Sequence, residues 1–258
     1  MIRGIWDRET VALMLLAAVL PVAVTWLLAA GAAGTAKLLF FLLIIGLWSM
    51  IFMLARAQPP SFAGVSTALA AAILAPEGLG FIPLLLGLSF GVVMAELVFG
   101  GWGRNVLNPA TVALSFLGFG FPAAPWPDLA VQVGWAAIPA AVVGIVLGVL
   151  SGRIIVAAGL VVAAAALFGV NVSPVITASA VVLVLLVCDP VASATTALGR
   201  WLNGFLHGAL VVVFALYWQG AAAIQIAVAA ALLASLAAPL LDEIAIALWL
   251  ARRRQRLG

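Results

Sequence analysis

The chain has 258 residues, of which 67% are hydrophobic and only 7% are charged, and its formal net charge is +3. A soluble domain has no interior large enough to hide that much apolar surface, so the composition excludes a soluble protein and indicates that lipid surrounds most of the chain. The single cysteine and the single histidine exclude an internal disulfide, a cysteine-ligated cluster and a two-histidine metal or haem site within one chain.

Long apolar runs predict helices that cross a membrane, because about 20 such residues span about 30 Å of hydrocarbon. The first run follows "MIRGIWDRET", whose mixed charges are a poor signal-peptide start, and it exceeds the roughly 7–15 residues of a signal-peptide core. We therefore expect a retained helix. Helix length and Gly, Pro and charge positions predict about ten spans, at residues 10–30, 37–55, 62–76, 79–99, 105–120, 132–150, 154–170, 174–188, 201–218 and 221–250.

The basic tail "RRRQR", residues 252–256, indicates a cytoplasmic anchor rather than a nucleic-acid-binding segment. If this tail lies inside, all but one of the cations between the predicted spans fall on the cytoplasmic side, and Lys37 is the exception. We therefore expect a multi-pass protein of the bacterial inner membrane with both termini in the cytoplasm. The residues on the cytoplasmic side are Arg3, Arg8, Arg56, Arg104, Arg153 and Arg200.

Two predicted spans are short and end at a carboxylate. The third span stops before Glu77, and the eighth stops before Asp189 and Pro190. Lipid does not tolerate unpaired backbone, so these ends must face protein or a polar cavity. Each is the third span of a five-span half. This predicts an all-α polytopic membrane protein built from two inverted five-helix repeats, residues 1–124 and 125–258. In this arrangement Glu77 lies outside, Asp189 lies inside, and the functional site lies between the repeats.

The stretch "GGWGRNVLNPATVALSF", residues 100–116, is the first polar motif. Its glycines permit close backbone approach. Asn108 precedes Pro109, which suits the first helical position, so Asn108 is predicted to cap the fifth span. Asn105 and Asn108 also offer amide groups to a ligand, although capping alone would explain them. Glu96, just before this motif, either has a functional role or simply pairs with Arg104.

The stretch "CDPVASATTALGRW", residues 188–201, is the second polar motif. Asp189 is placed to cap the chain after Pro190, and the hydroxyls of Ser193, Thr195 and Thr196 can bond nearby backbone. A plain cytoplasmic turn is the alternative explanation.

Together with the ending "ASLAAPLLDE", the two motifs resemble the NqrB/RnfD family, the membrane subunits of sodium-translocating NADH:quinone reductases and of Rnf-type electron-transport complexes. The match is good over residues 80–122 and 180–243. The resemblance implies a membrane subunit, not an enzyme alone, that works with other subunits and relays electrons, with or without coupling to ion translocation. It also implies a flavin, riboflavin or FMN, held non-covalently between the two halves. The residues that would hold it are Trp102, Asn105, Asn108, Asp189, Ser193 and Thr195, with Trp102 and Trp201 either stacking on the ring or anchoring the membrane interface.

Two other functions remain open at this point. The inverted repeat with half-length helices is also typical of transporters, so the chain could be a transporter or channel for a small polar solute or a flavin precursor. A purely structural scaffold is the third interpretation, but it leaves Glu77, Asp189 and the asparagines unexplained.

Members of the family usually carry FMN linked to a threonine in the outer loop after the fifth span, in a motif of the approximate form Asp-x-x-[Ser/Thr]-Gly-Ala-Thr. The corresponding loop here, "GFPAAPWPDLAVQVGW" at residues 120–135, contains Asp128 but no serine or threonine. The segment from Asp189 to Thr195 imitates the spacing, but it lies on the predicted inner side. The chain is therefore a short form without the attachment motif, and a flavinylated partner subunit is expected to supply any outer flavin.

We predict that no flavin is attached covalently to this chain. The protein, co-expressed with a flavin-attaching enzyme and denatured on a gel, should show no in-gel flavin fluorescence. A fluorescent band that disappears in Thr195→Ala would contradict both this prediction and the predicted topology.

Overall fold

The computed structural model describes residues 7–57, 59–128 and 133–257, without the side chains of residues 256 and 257. Within those ranges the fold is entirely helical, with nine α-helices and no strand. The all-α prediction is confirmed. The helices are α1 Arg8–Arg56, α2 Ala63–Leu74, α3 Phe81–Val92, α4 Pro109–Gly120, α5 Ala137–Val146, α6 Gly152–Leu167, α7 Ser173–Val182, α8 Ala197–Tyr217 and α9 Ala223–Leu257.

Three of the described helices are long and apolar enough to cross a membrane: α1, α8 and the part of α9 from Ala223 to Gln255. The other apolar helical segments have 10–17 residues. The ten spans predicted from the sequence are therefore not reproduced as ten full-length helices. The inverted repeat and the division at residue 124 stay predictions.

Helix α1 is bent back on itself at Gly31, which has φ 58° and ψ −139° in an otherwise helical run of 49 residues. Glycine tolerates this positive φ because it has no Cβ. A straight helix of that length would measure about 73 Å. Instead, Glu9 near the start of α1 accepts hydrogen bonds from Ser61 Oγ at 3.1 Å and Phe62 N at 3.0 Å. The two arms correspond to the first two predicted spans, and the expected linker at 31–36 shrinks to one non-helical residue.

Helix α2 is buried on all sides from Ser66 to Leu74. A short helix inside a protein must have its last carbonyl groups satisfied by other groups. The chain turns at Ala75, whose N–H donates to the Ala71 carbonyl at 2.8 Å. The Lys37 ammonium then donates to the Ala75 carbonyl at 2.9 Å. Lys37, the one cation expected on the outer side, thus completes the end of α2.

The two short predicted spans end at opposite ends of α4. Glu77 N donates to the Pro125 carbonyl at 2.7 Å, in the loop that follows the last residue of α4. Asp189 contacts Asn108, which precedes the first residue of α4. Glu77 and Asp189 therefore lie near opposite ends of α4, and the side of the membrane that each faces stays a prediction.

The fourth and eighth predicted spans each combine an α-helix with a five-residue π-helix. Residues Val93–Leu97 extend α3, and residues Leu183–Val187 extend α7. Each π-helix comes just before a polar motif. Several predicted boundaries are wrong. The fifth span begins at Pro109 rather than 105, since residues 105–108 form the loop and cap before α4. The sixth ends at Val146 rather than 150, the ninth begins at Ala197 rather than 201, and α9 continues past 250 into the basic tail.

Two glycines spaced four residues apart let α8 pack closely against α6. A Cβ on Gly204 would collide with the Ile154 carbonyl, and a Cβ on Gly208 would lie 2.9 Å from the Ala158 carbonyl. Small residues at this spacing are the usual way for membrane helices to approach. Gly204 lies against Ile154, and Gly208, one turn further along α8, lies against Ala158, one turn further along α6. The two helices therefore run in the same direction.

We predict that Gly204→Ala destabilises the protein by about 1–3 kcal/mol, because the added methyl group must push α6 and α8 apart. Gly159→Ala is the matched control, since a Cβ at this exposed position of α6 meets nothing within 4 Å. The unfolding midpoint in detergent should fall only for Gly204→Ala. Equal midpoints for the two variants would contradict the close packing.

Candidate functional site: the buried Asn108–Asp189 pair

Asn108 caps α4, as the sequence predicts. Its backbone is extended, and Pro109 occupies the first helical turn, where a missing N–H does no harm. Asn108 Oδ1 accepts hydrogen bonds from Ala110 N at 2.9 Å and Thr111 N at 3.2 Å. The side-chain oxygen therefore satisfies two of the N–H groups that open the helix, and its amide nitrogen is left pointing away from them.

The amide nitrogen of Asn108 donates to Asp189 Oδ2 at 2.7 Å, across a separation of 81 residues. Asp189 Oδ1 accepts from Val191 N at 2.8 Å and Ala192 N at 3.3 Å. Asn108 and Asp189 are 6% and 4% exposed, so water reaches neither side chain freely. A buried carboxylate is tolerated only when donors surround it, and here both oxygens have donors.

This pair joins the two polar motifs into one hydrogen-bonded chain. It runs from the first N–H groups of α4 through the Asn108 side chain to Asp189, and then to the backbone that follows Pro190. The partial positive charge at the start of a helix also favours a nearby carboxylate. The pair thus fixes the start of α4 against the loop between α7 and α8.

Asn105 and Trp102, two other predicted site residues, serve their own loop. Asn105 Oδ1 accepts from Gly103 N at 3.0 Å, and its amide nitrogen donates to the Leu107 carbonyl at 3.1 Å. These bonds close a turn in which Gly103 has φ 91°. Trp102 is only 4% exposed and packs in the hydrophobic core. Its backbone N–H lies within hydrogen-bonding reach of the Glu96 carboxyl group.

Thr195 belongs to a second cluster that the sequence reasoning missed. Thr195 N and Oγ1 donate to Asp242 Oδ2 at 2.8 and 2.9 Å. Thr196 N and Oγ1 donate to Asp242 Oδ1 at 2.9 and 2.6 Å. Asp242 lies in α9 and holds the start of α8 through these four bonds. Its carboxylate within an apolar helix is the signal that would have identified it, as it did for Glu96.

Ser193 lies beside the pair through its backbone, whose N–H donates to the Asp189 carbonyl oxygen at 3.1 Å. The structure therefore brings together three of the six predicted residues: Asn108, Asp189 and Ser193. Thr195 contacts Asp242, whereas Asn105 and Trp102 complete a neighbouring loop. Among the described residues, no cluster of three or more His, Cys, Asp or Glu side chains is placed to hold a metal ion.

Several of the six predicted flavin-binding residues already bond other groups of the protein. The amide groups of Asn105 and Asn108 and both oxygens of Asp189 have protein partners, so a flavin would have to bond them through their remaining N–H groups and lone pairs. The buried side-chain atoms that lack a hydrogen-bond partner lie on other residues, among them Thr111 Oγ1, Trp126 Nε1 and Asn203 Oδ1. A flavin at these residues stays a prediction.

A small cavity lies where α4 and α9 meet, at the far end of α4 from the pair. Phe119, Trp126 and Trp218 line it together with Gln225, and its volume is about 10 Å³. That space holds roughly one water molecule, which the unpartnered Trp126 Nε1 could bind. It is too small for a three-ring flavin.

A family model described as the NQR2, RnfD, RnfE family matches residues 2–138, just over half of the chain. Three curated relatives are each named as the B subunit of a Na(+)-translocating NADH-quinone reductase. The protein of Klebsiella pneumoniae (strain ATCC 700721 / MGH 78578) is 39% identical over 84 residues, 33% of this chain and 20% of its own length. The protein of Yersinia pestis is 37% identical over 87 residues, which are 34% of this chain and 21% of its own length. The protein of Neisseria meningitidis (serogroup A / serotype 4A, strain DSM 15465 / Z2491) is 36% identical over 93 residues, which are 36% of this chain and 22% of its own length. The alignments thus span about a fifth of each relative.

We predict that Asn108→Ser lowers the free energy of unfolding by about 1–3 kcal/mol, because serine can still cap α4 but leaves Asp189 Oδ2 without its donor. Asn108→Ala should lose a further 0.5–2 kcal/mol, roughly the value of the cap. Denaturant titration in detergent measures both values. The control is Asn171→Ser at an exposed position, which should change stability by less than about 0.5 kcal/mol. If Asn108→Ser proves as stable as the parent protein, the pair contributes nothing to stability.

Proposed function

The chain belongs to the NQR2, RnfD, RnfE family, and on that premise we propose that it is an integral membrane subunit of an electron-transport complex of the Na⁺-translocating NADH-quinone reductase or Rnf type. The observation that carries the proposal is the family match over residues 2–138, which includes the Asn108 cap. The names of the curated relatives support the same assignment. The remaining subunits of the complex are its partners.

The proposal includes an orientation, with both termini in the cytoplasm of a bacterial cell. The arginines gather at the end of the bundle that holds the Asn108–Asp189 pair. Arg56 donates to the Val98 carbonyl at 3.3 Å, Arg200 donates to the Ala194 carbonyl at 3.3 Å, and Arg153 opens α6, which runs parallel to α8. Lys37 lies at the other end, beside Ala75. Cytoplasmic loops carry the excess of positive charge, and this supports an orientation with the pair on the inner side.

The proposal also includes the architecture of the chain, which is two inverted repeats, residues 1–124 and 125–258. They are supported by two short, largely buried helices, α2 and α7, whose polar ends at Glu77 and Asp189 lie at opposite ends of α4. The Asn108–Asp189 bond would then link one repeat to the other. Its role in this proposal is positioning: it holds the two halves in one register while the complex turns over.

The proposal also includes a cofactor, a non-covalently bound flavin that is either riboflavin or FMN. This part rests on the family resemblance alone. When bound, a flavin would supply the electron-transfer chemistry. Asn105, Asn108 and Asp189 bond other groups of the protein, so no electron-transfer step is assigned to them. A covalent FMN on this chain is not part of the proposal, because residues 120–135 contain no hydroxyl side chain.

The experiment purifies the chain in detergent with its co-purifying subunits and measures three quantities: flavin absorbance before and after denaturation, the identity of the subunits, and NADH-driven quinone reduction. We expect redox subunits to co-purify, and any flavin of this chain to be released into solution on denaturation.

Asp189→Asn should lower quinone reduction while leaving membrane insertion normal, since it keeps the side-chain shape but removes the charge that Asn108 binds.

The same preparation separates the transporter alternative. Proteoliposomes that contain this chain alone should take up no riboflavin or other small polar solute. Uptake without any redox partner, together with a lack of co-purifying subunits, would overturn the proposal in favour of a transporter. Loss of insertion in Asp189→Asn would instead return Asp189 to a purely structural role.

A further inference from the structure

Helix α9 extends well past the end of the helix beside it. It runs antiparallel to α8, because Asn203 of α8 donates to the Ala234 carbonyl while Thr196, at the start of α8, donates to Asp242. About 20 residues of helix cross the roughly 30 Å of the hydrocarbon layer, and α9 has 35 residues from Ala223 to Leu257. The part of α9 after Asp242 adds about 22 Å beyond the start of α8.

A groove lies between the start of α8 and this extension of α9. Its apolar walls are Leu198 on α8 and Ile246, Leu248 and Trp249 on α9, and Arg252 stands at its end. Its volume is about 370 Å³, within the range of roughly 300–1,000 Å³ that ligand sites have. The walls remain open, since Trp249 is 57% exposed and Leu248 is 44% exposed. The groove thus combines an apolar channel with a cation at one end.

The charge around the groove is positive. Arg252 lines it, and the Arg253 guanidinium lies 5.2 Å from the centre of the Trp249 ring. Arg254 follows on the next position of the helix. The lining includes no carboxylate: Asp242 and Glu243 lie outside it, and the oxygens of Asp242 already accept four hydrogen bonds from Thr195 and Thr196. An anion at the arginine end therefore meets cations and no free carboxylate of this cluster.

We propose that this groove binds an anionic phospholipid, with one acyl chain against Leu198, Ile246 and Trp249 and the phosphate at Arg252. An acyl chain matches the apolar walls, and a phosphate diester matches a guanidinium, which bonds it through two parallel N–H groups. Basic pockets between membrane helices on the cytoplasmic side are a known form of anionic-lipid site. A zwitterionic lipid fits less well, because its headgroup brings a cation next to the arginines. The site is separate from the proposed redox role.

The test uses the full chain in detergent, delipidated and then titrated with phosphatidylglycerol or phosphatidylcholine, with bound lipid counted by native mass spectrometry. We expect one phosphatidylglycerol to bind more tightly than phosphatidylcholine. Arg252→Gln should weaken phosphatidylglycerol about fivefold, the effect of losing roughly 1 kcal/mol from one arginine near a phosphate. Arg254→Gln is the matched control, because it also removes one positive charge but Arg254 does not line the groove. The affinity for phosphatidylglycerol should stay the same in this variant.

A second variant tests the acyl chain. Leu198→Trp fills the groove without changing any charge, so it should abolish retention of the tight phosphatidylglycerol while the unfolding midpoint in lipid-free detergent stays the same. Equal losses in Arg252→Gln and Arg254→Gln would show diffuse attraction to the basic tail and overturn the site. Equal binding of the two lipids, or unchanged retention in Leu198→Trp, would do the same. Exclusion of the lipid by a co-purified subunit that a thiol-reactive cross-linker joins to the Leu248→Cys variant would overturn the lipid site and assign the groove to that subunit.

Discussion

The hydrogen bond from Asn108 to Asp189 is the constraint on which the rest of the polar interior depends. It is 2.7 Å long, buried, and joins residues far apart in the chain. Breaking it leaves a carboxylate oxygen without a donor in an environment that solvates charge poorly, which costs far more than the same loss at a surface. The start of α4 is therefore coupled to the loop after α7. A function that involves the motif at residues 100–116 also involves the motif at residues 188–201.

Lipid imposes the second constraint, which is that every helix end inside the bundle must find a partner. Side chains meet this requirement at three helix ends. Lys37 of α1 completes the end of α2, Asp242 of α9 binds the N–H groups just before α8, and Asn108 caps its own helix α4 and is bound in turn by Asp189. Each of these charged or amide side chains would be a liability in an apolar chain if its partner were absent. Their positions are thus explained by short helices as well as by any ligand.

The sequence was sufficient for those features that depend on local rules. The Asn-Pro cap of α4, the all-helical fold and the short helix before Glu77 follow from residue types at fixed offsets, and the structure has all three. The bond between Asn108 and Asp189 could not be inferred from spacing, because it depends on how α4 meets the loop after α7. The Asp242 cluster was missed for the same reason. Thr195 resembles a site residue within its own motif, and only the tertiary fold shows that its hydroxyl is already bound.

The distribution of polar contacts makes the two ends of the bundle chemically different. The end with Asn108, Asp189 and Asp242 carries the arginines and the longest hydrogen-bonded network, whereas the other end has Lys37 and the tryptophans around α4 and α9. Packing of small residues holds membrane helices together, and at this end the buried pair adds a second link between the start of α4 and the loop after α7. An excess of arginine at one end is the pattern that orients membrane proteins, so the asymmetry follows from topology and from the capping of helix ends and requires no further ligand.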